Sequence, residues 1–144
     1  MMGQSISVAA AFIWLGMVLA ISFLEAPLKF RAPGVTLQLG LGIGRLVFRA
    51  LNACEVVLAA VILVGCALDR PSTAALVALV VAVAALVVQL AAVRPALTRR
   101  SDRVLAGSDG GQSRSRVHYA YVAFELVKVA ALVTAGILLV GGLS

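Results

Sequence analysis

The chain has 144 residues, 62% of them hydrophobic and 12% charged, with a net charge of +6. Soluble domains run at roughly 45–50% apolar and about 25% charged. This composition therefore excludes a disordered chain and points away from a soluble globule, toward an integral membrane protein. The basic residues lie between apolar runs and the aromatics are few, without the basic–aromatic interleaving that stacks bases. No nucleic-acid partner is expected, and the basic excess is read as topology.

The first apolar run, residues 5–24, carries no charge and is long enough to cross about 30 Å of hydrocarbon. No Lys or Arg precedes it, so it lacks the basic region of a signal peptide and reads as a retained helix. It is expected to end at Glu25-Ala26-Pro27, where proline disfavours helix in its predecessor. Residues 25–44 read as a connection, marked by Lys29, Arg31 and the Pro33-Gly34 turn signal. Gly40, Gly42 and Gly44 follow at alternate positions. Their spacing is not a dinucleotide fingerprint. They are expected to let a helix begin and pack closely, the other reading being an anion site at a helix start before Arg45.

The second span is expected over residues 45–68, followed by Asp69-Arg70-Pro71. The third covers 72–93 and is nearly all Ala, Val and Leu. The short turn between them predicts a helical hairpin. Arg94-Pro95 closes the third span. Residues 96–116 are polar and rich in Ser and Gly toward their end, which reads as a flexible loop. The fourth span is expected over 117–140. Cys54 and Cys66 share the second span about 18 Å apart, too far for a disulfide. Ala74, Ala78 and Ala82, and likewise Gly16 and Ala20, recur every four residues, a spacing that lets helices approach closely within the bundle or in a homo-oligomer.

These spans make one all-α domain, a four-helix integral membrane bundle with both termini on one side. Connections one and three hold Lys29, Arg31, Arg45, Arg49, Arg94, Arg99, Arg100, Arg103, Arg114 and Arg116, ten of the 12 basic residues. The positive-inside rule then places both connections in the cytoplasm and both termini outside. The Ala/Val/Leu/Arg-rich usage suggests a high-GC bacterium, so the expected location is a bacterial inner membrane.

Polar residues at membrane depth are costly and mark function. Arg45, Arg49, Asn52 and Glu55 form one stripe on the second span, and His118, Tyr121, Glu125 and Lys128 form another on the fourth. Both run from the cytoplasmic face toward mid-bilayer, so they are expected to face each other across a pocket open to the cytoplasm. Trp14, Ser22 and Glu25 could join from the first span and Gln89 from the third. Glu55 and Glu125 outnumber Lys128, and Arg49 is a candidate second partner. An unpaired carboxyl in a wet pocket is what proton coupling requires. The structural alternative is an ion network that only fixes helix register. No metal site is expected, because Cys54 and Glu55 point to different faces. No cofactor is named by the sequence: it has no zinc spacing, P-loop or Ser-His-Asp set, and His118 lacks the Met or Cys company of haem or copper sites.

Trp14-Leu15-Gly16, Ala26-Pro27-Leu28-Lys29-Phe30, Gly40, Phe48, Pro95 and His118 carry a resemblance. At these positions the chain resembles the small four-helix membrane proteins of uncharacterised function that include the mammalian transmembrane protein linked to cisplatin resistance. Glu125 stands where that pattern has an uncharged polar residue, and Arg49 and Asn52 where it has proline and aromatic residues. The resemblance implies a four-helix bundle and a role in handling small solutes or metals. The leading expectation is a small transporter or channel-like protein in contact with membrane lipid. The rivals are a non-transporting accessory subunit and a lipid-acting enzyme that would use His118 with Glu125.

Overall fold

The computed structural model describes residues 2–93, 95, 99, 102 and 116–143, and all regular structure among them is helical. Among the described residues four helices are long and apolar enough to cross a membrane, the mark of an integral membrane protein. The expected loop over 96–116 lies outside the described residues, except for Arg99, Asp102 and Arg116.

Helix α1 (Met2–Lys29) does not stop at Pro27. It is α-helical over Met2–Val18, π-helical over Leu19–Glu25 and α-helical again over Ala26–Lys29. The Ala26 N–H bonds Ile21 O, five residues back. Proline has no N–H to place, and here it enters the first turn of the segment that follows the π stretch. The helix continues through Pro27 to Lys29.

Helix α2 (Leu37–Leu68) starts eight residues before the expected boundary of 45. Thr36 caps it, its hydroxyl accepting from the Leu39 N–H at 3.1 Å. The glycines lie inside the helix. A Cβ on Gly40 would strike the Phe30 ring, and one on Gly44 would come within 2.8 Å of Lys29 Nζ. They admit the returning end of α1, and the helix N-terminus that the anion-site reading needs directly ahead of Arg45 lies at Leu37 instead. The chain reverses through Gly34, whose φ of 81° suits a residue without a Cβ.

Helix α3 runs as α-helix over Thr73–Val88 and as π-helix over Gln89–Val93. Ser72 caps its start by accepting from the Ala75 N–H at 3.2 Å. Helix α4 covers Arg116–Gly141.

Packing departs from the expected hairpin. Helix α1 lies along both α2 and α4, and α3 lies along α4, while α2 and α3 meet only sparsely. A short turn fixes chain proximity at one end, but in lipid the partner is chosen by fit of small surfaces. On α1 Gly3, Ser7, Ala10 and Ala11 are buried, and Gly3 and Ser7 lie against Gly65 of α2. A Cβ on Gly65 would sit 2.7 Å from Gly3 O. Gly16 and Ala20 point outward instead, and nothing lies within 4 Å of a Cβ on Gly16. On α3 the buried row is Ala75, Ala78, Ala82 and Ala85, with Ala74 exposed.

Asp69 Oδ2 accepts from the Gly3 N–H at 2.7 Å, and Gly142 lies against Gln4. Gly3, Asp69 and Gly142 therefore share one end of the bundle. Phe30, Lys29, Gly40 and Gly44 gather at the other. The outer surface is a coat of Val, Leu, Ile and Phe side chains, as lipid-facing helices require.

Candidate functional site

Each helix turns one row of residues inward, and the polar side chains belong to those rows. On α2 the row includes Leu51, Glu55, Ala59 and Ile62; on α4 it includes Tyr121, Glu125, Lys128 and Leu132. On α1 it contains Trp14 and Val18, and on α3 it ends at Gln89. Helical spacing alone thus drives two acids and a base into an interior made mostly of Ala, Leu, Ile and Val. Glu55 and Lys128 are 0% exposed and Glu125 is 1% exposed. Lys128 lies about 18 Å along α4 from Arg116, near the middle of the span.

Lys128 Nζ contacts Glu55 Oε2 across the bundle and Glu125 Oε1 at 2.6 Å on its own helix. Trp14 Nε1 donates to Glu55 Oε2 at 2.7 Å. Gln89 Nε2 donates to Glu125 Oε1 at 2.8 Å, and Ser22 Oγ donates to Glu125 Oε2 at 2.6 Å. One cluster therefore draws on all four helices. Burying ions costs several kcal/mol each unless good hydrogen bonds surround them, and these donors supply most of that compensation.

The two carboxyls are not equivalent. Both Glu125 oxygens are bonded. Glu55 Oε2 takes both Lys128 and Trp14, while the buried Glu55 Oε1 has no hydrogen-bond partner among the described residues. With every group ionised, the cluster carries one excess negative charge at bilayer depth.

Both donors to Glu125 from outside α4 stand on π-helical stretches. Ser22 belongs to Leu19–Glu25 and Gln89 opens Gln89–Val93. A π turn inserts a residue and re-aims the side chains after it, and such turns recur at functional sites. Here two of them converge on one carboxylate.

Toward the Phe30 end lies a second layer. Lys29 Nζ sits 5.4 Å from the Phe30 ring centre and 5.7 Å from that of Phe48, within cation–π range. Phe48 meets Tyr121 edge-on at 5.6 Å. Glu25 Oε2 lies 3.9 Å from Lys29 Nζ.

Of the residues picked from sequence, Trp14, Glu55, Gln89, Glu125 and Lys128 meet in the cluster. Tyr121 is buried beside it, and its backbone oxygen accepts from Gln89 Nε2 at 3.4 Å. Glu25 belongs to the second layer. Arg49 is exposed and Asn52 half-buried, neither bonded within the cluster. Arg49 sits six residues before Glu55, well round the helix from it, so it is not the second cationic partner. Arg45 instead pairs with Asp102 at 2.7 Å. His118 lies in α4 with its side chain outside the described residues. The cluster is packed shut rather than open to one side. Two outer grooves of about 490 and 340 Å³ on the α1/α2 face are lined by aliphatic residues such as Ile6, Val57 and Met17, away from the charges. Lys29 and Phe48 were missed by the stripe reading. The i,i+4 spacing of Glu25 and Lys29 was the available signal. Among the described residues no group of three or more His, Cys, Asp or Glu side chains could hold a metal ion. No family model, curated protein or solved structure matches the chain.

Proposed function

We propose that the protein is a small transporter of the bacterial cytoplasmic membrane, in which the Glu55–Lys128–Glu125 cluster binds a proton coupled to movement of a small solute or ion. The observation that carries this reading is the mismatch of two buried carboxyls to one ammonium, with Glu55 Oε1 unmet. An unbalanced charge at this depth is expensive, and a bound proton removes it. Occlusion is the state such a site passes through between exposures to the two sides. The basic end of the bundle, with Arg31 and Arg45, would face the cytoplasm.

The test is proton flux in proteoliposomes. The parent protein should dissipate or build a pH gradient when the right solute is present, and Glu55→Gln and Glu125→Gln should abolish that coupling while remaining folded. Folded variants with unchanged coupled flux would overturn the proposal.

A second reading is supported by the completeness of the packing. A cluster that ties four helices through one lysine also fixes their register, which is the attested structural use of buried polar groups. On that reading the protein is an accessory subunit, and neither the parent nor the variants move protons.

A further inference from the structure

The cluster is closed, so a proton must reach it through side chains. Glu25 has the features of the first acceptor. Its side chain is 32% exposed, yet its Oε2 atom is buried and meets no hydrogen-bond donor among the described residues. Lys29 Nζ, at 3.9 Å, is too far to bond it but near enough to hold its charge in place. Lys29 itself is seated between the Phe30 and Phe48 rings in the space left by Gly44. Glu25 follows Ser22 by about one turn in the same π-helical stretch, and Ser22 Oγ already donates to Glu125 Oε2 at 2.6 Å. Ser22 thus stands between Glu25 in sequence and Glu125 in space, bonded to the buried carboxyl and about one turn from the partly exposed one.

We propose that Glu25 collects protons at the basic end of the bundle and that Ser22 passes them to Glu125. This rests on reading the cluster as a proton site. In the step, hydronium from bulk water protonates the Glu25 carboxylate. That proton then moves to Ser22 Oγ, through one bridging water, as the hydroxyl proton of Ser22 moves to Glu125 Oε2. Glu25 returns to carboxylate, Glu125 becomes the acid, and rotation of the Ser22 hydroxyl resets the chain. The titratable groups around the path are Lys29 on α1, Tyr121, Glu125 and Lys128 on α4, and Glu55 on α2; α3 contributes the uncharged Gln89.

The experiment steps the pH outside proteoliposomes holding the full chain and follows the carboxylic-acid C=O infrared band assigned to Glu125 by its loss in Glu125→Gln. Glu25→Gln should slow its appearance at least tenfold without changing its final amplitude, Ser22→Ala should slow it as much, and Glu25→Asp should restore the rate. A parental rate in both Glu25→Gln and Ser22→Ala would overturn the path and leave the cluster's proton binding intact. A parent protein with no such band would overturn the proton reading of the cluster and the path with it, and the same band in Glu125→Gln would overturn the path, because the proton then rests on another carboxyl. Because Ser22→Ala leaves every charge in place, it keeps the test decisive if Glu25→Gln proves unstable.

Discussion

Lys128 Nζ lies 2.6 Å from Glu125 Oε1 on its own helix, and the same ammonium contacts Glu55 on α2. The Glu125–Lys128 pair is therefore not self-contained. A lone i,i+3 pair would neutralise itself and leave the other helices indifferent to it. Here one cation serves two acids, and its loss is felt by α2 as well as α4.

That asymmetry gives the first prediction. Lys128→Met strands two buried carboxyls and should destabilise by about 3–5 kcal/mol, the usual cost of breaking a buried ion pair from one side. Glu55→Gln leaves Lys128 paired with Glu125 and should cost far less. The double variant Glu125→Gln with Lys128→Met should not recover the parent's stability, because Glu55 remains unpaired. Only adding Glu55→Gln should do so. Thermal unfolding of the parent and the four variants in one detergent checks the order. A double variant as stable as the triple would show that Glu55 does not depend on Lys128.

The polar rows were legible because helical periodicity is a property of the sequence alone. Spacings of three and four put Tyr121, Glu125 and Lys128 on one face whatever that face meets. What each face meets was not legible. Arg49 and Asn52 share a stripe with Glu55 by count, but a stripe is broad, and the rotation of α2 turns Glu55 inward and Arg49 out. The neighbours of each helix depend on close fit, and a chain of Ala, Val and Leu offers many similar surfaces. The π-helical stretches leave no residue signature in Leu19–Glu25 or Gln89–Val93, so the register shift that aims Ser22 and Gln89 at Glu125 could not be read. The close packing expected at Gly40 and Gly44 is present, against Phe30 and Lys29, but it falls inside α2 and not at the start of the helix.

The second prediction concerns that close fit. A Cβ on Gly65 would lie 2.7 Å from Gly3 O and would also strike Ser7 Oγ, so backbone and not a mobile side chain stands in the way. Gly65→Ala should cost about 1–3 kcal/mol through overpacking. Gly16→Ala meets open space and should be neutral or slightly stabilising, since alanine is the better helix former. Equal melting temperatures for the two variants would refute the α1–α2 crossing described above.

The third prediction uses the single tryptophan of the chain. Trp14 Nε1 donates to Glu55 Oε2 at 2.7 Å, so its fluorescence senses the state of that carboxyl. If Glu55 gains and loses a proton in its working range, Trp14 emission should change with pH and the change should vanish in Glu55→Gln. Trp14→Phe keeps an aromatic side chain but removes the donor and leaves a void at a fully buried site, and should cost at least about 1–3 kcal/mol. A pH response unaltered by Glu55→Gln would place its source elsewhere.

The last prediction concerns orientation. Gly3, Asp69 and Gly142 gather at one end of the bundle, and the Gly3–Asp69 and Gln4–Gly142 contacts tie the two ends of the chain to the turn between α2 and α3. The opposite end carries Lys29, Arg31, Arg45 and Arg49. Positive charge is retained on the cytoplasmic side during insertion, so that end should face inward. The check replaces Cys54 and Cys66 with alanine and introduces one cysteine at a time at two exposed positions, Gln38 and Gly142. An impermeant thiol reagent added to intact cells should label Gly142→Cys and spare Gln38→Cys until the membrane is opened. The reverse pattern would invert the bundle. Glu25 would then collect protons from outside, and the flux driven by a given pH gradient would enter by the opposite face. Labelling of both positions in intact cells would mean a mixed orientation. The direction of any flux would then have to be read from the pH step on each side rather than from topology.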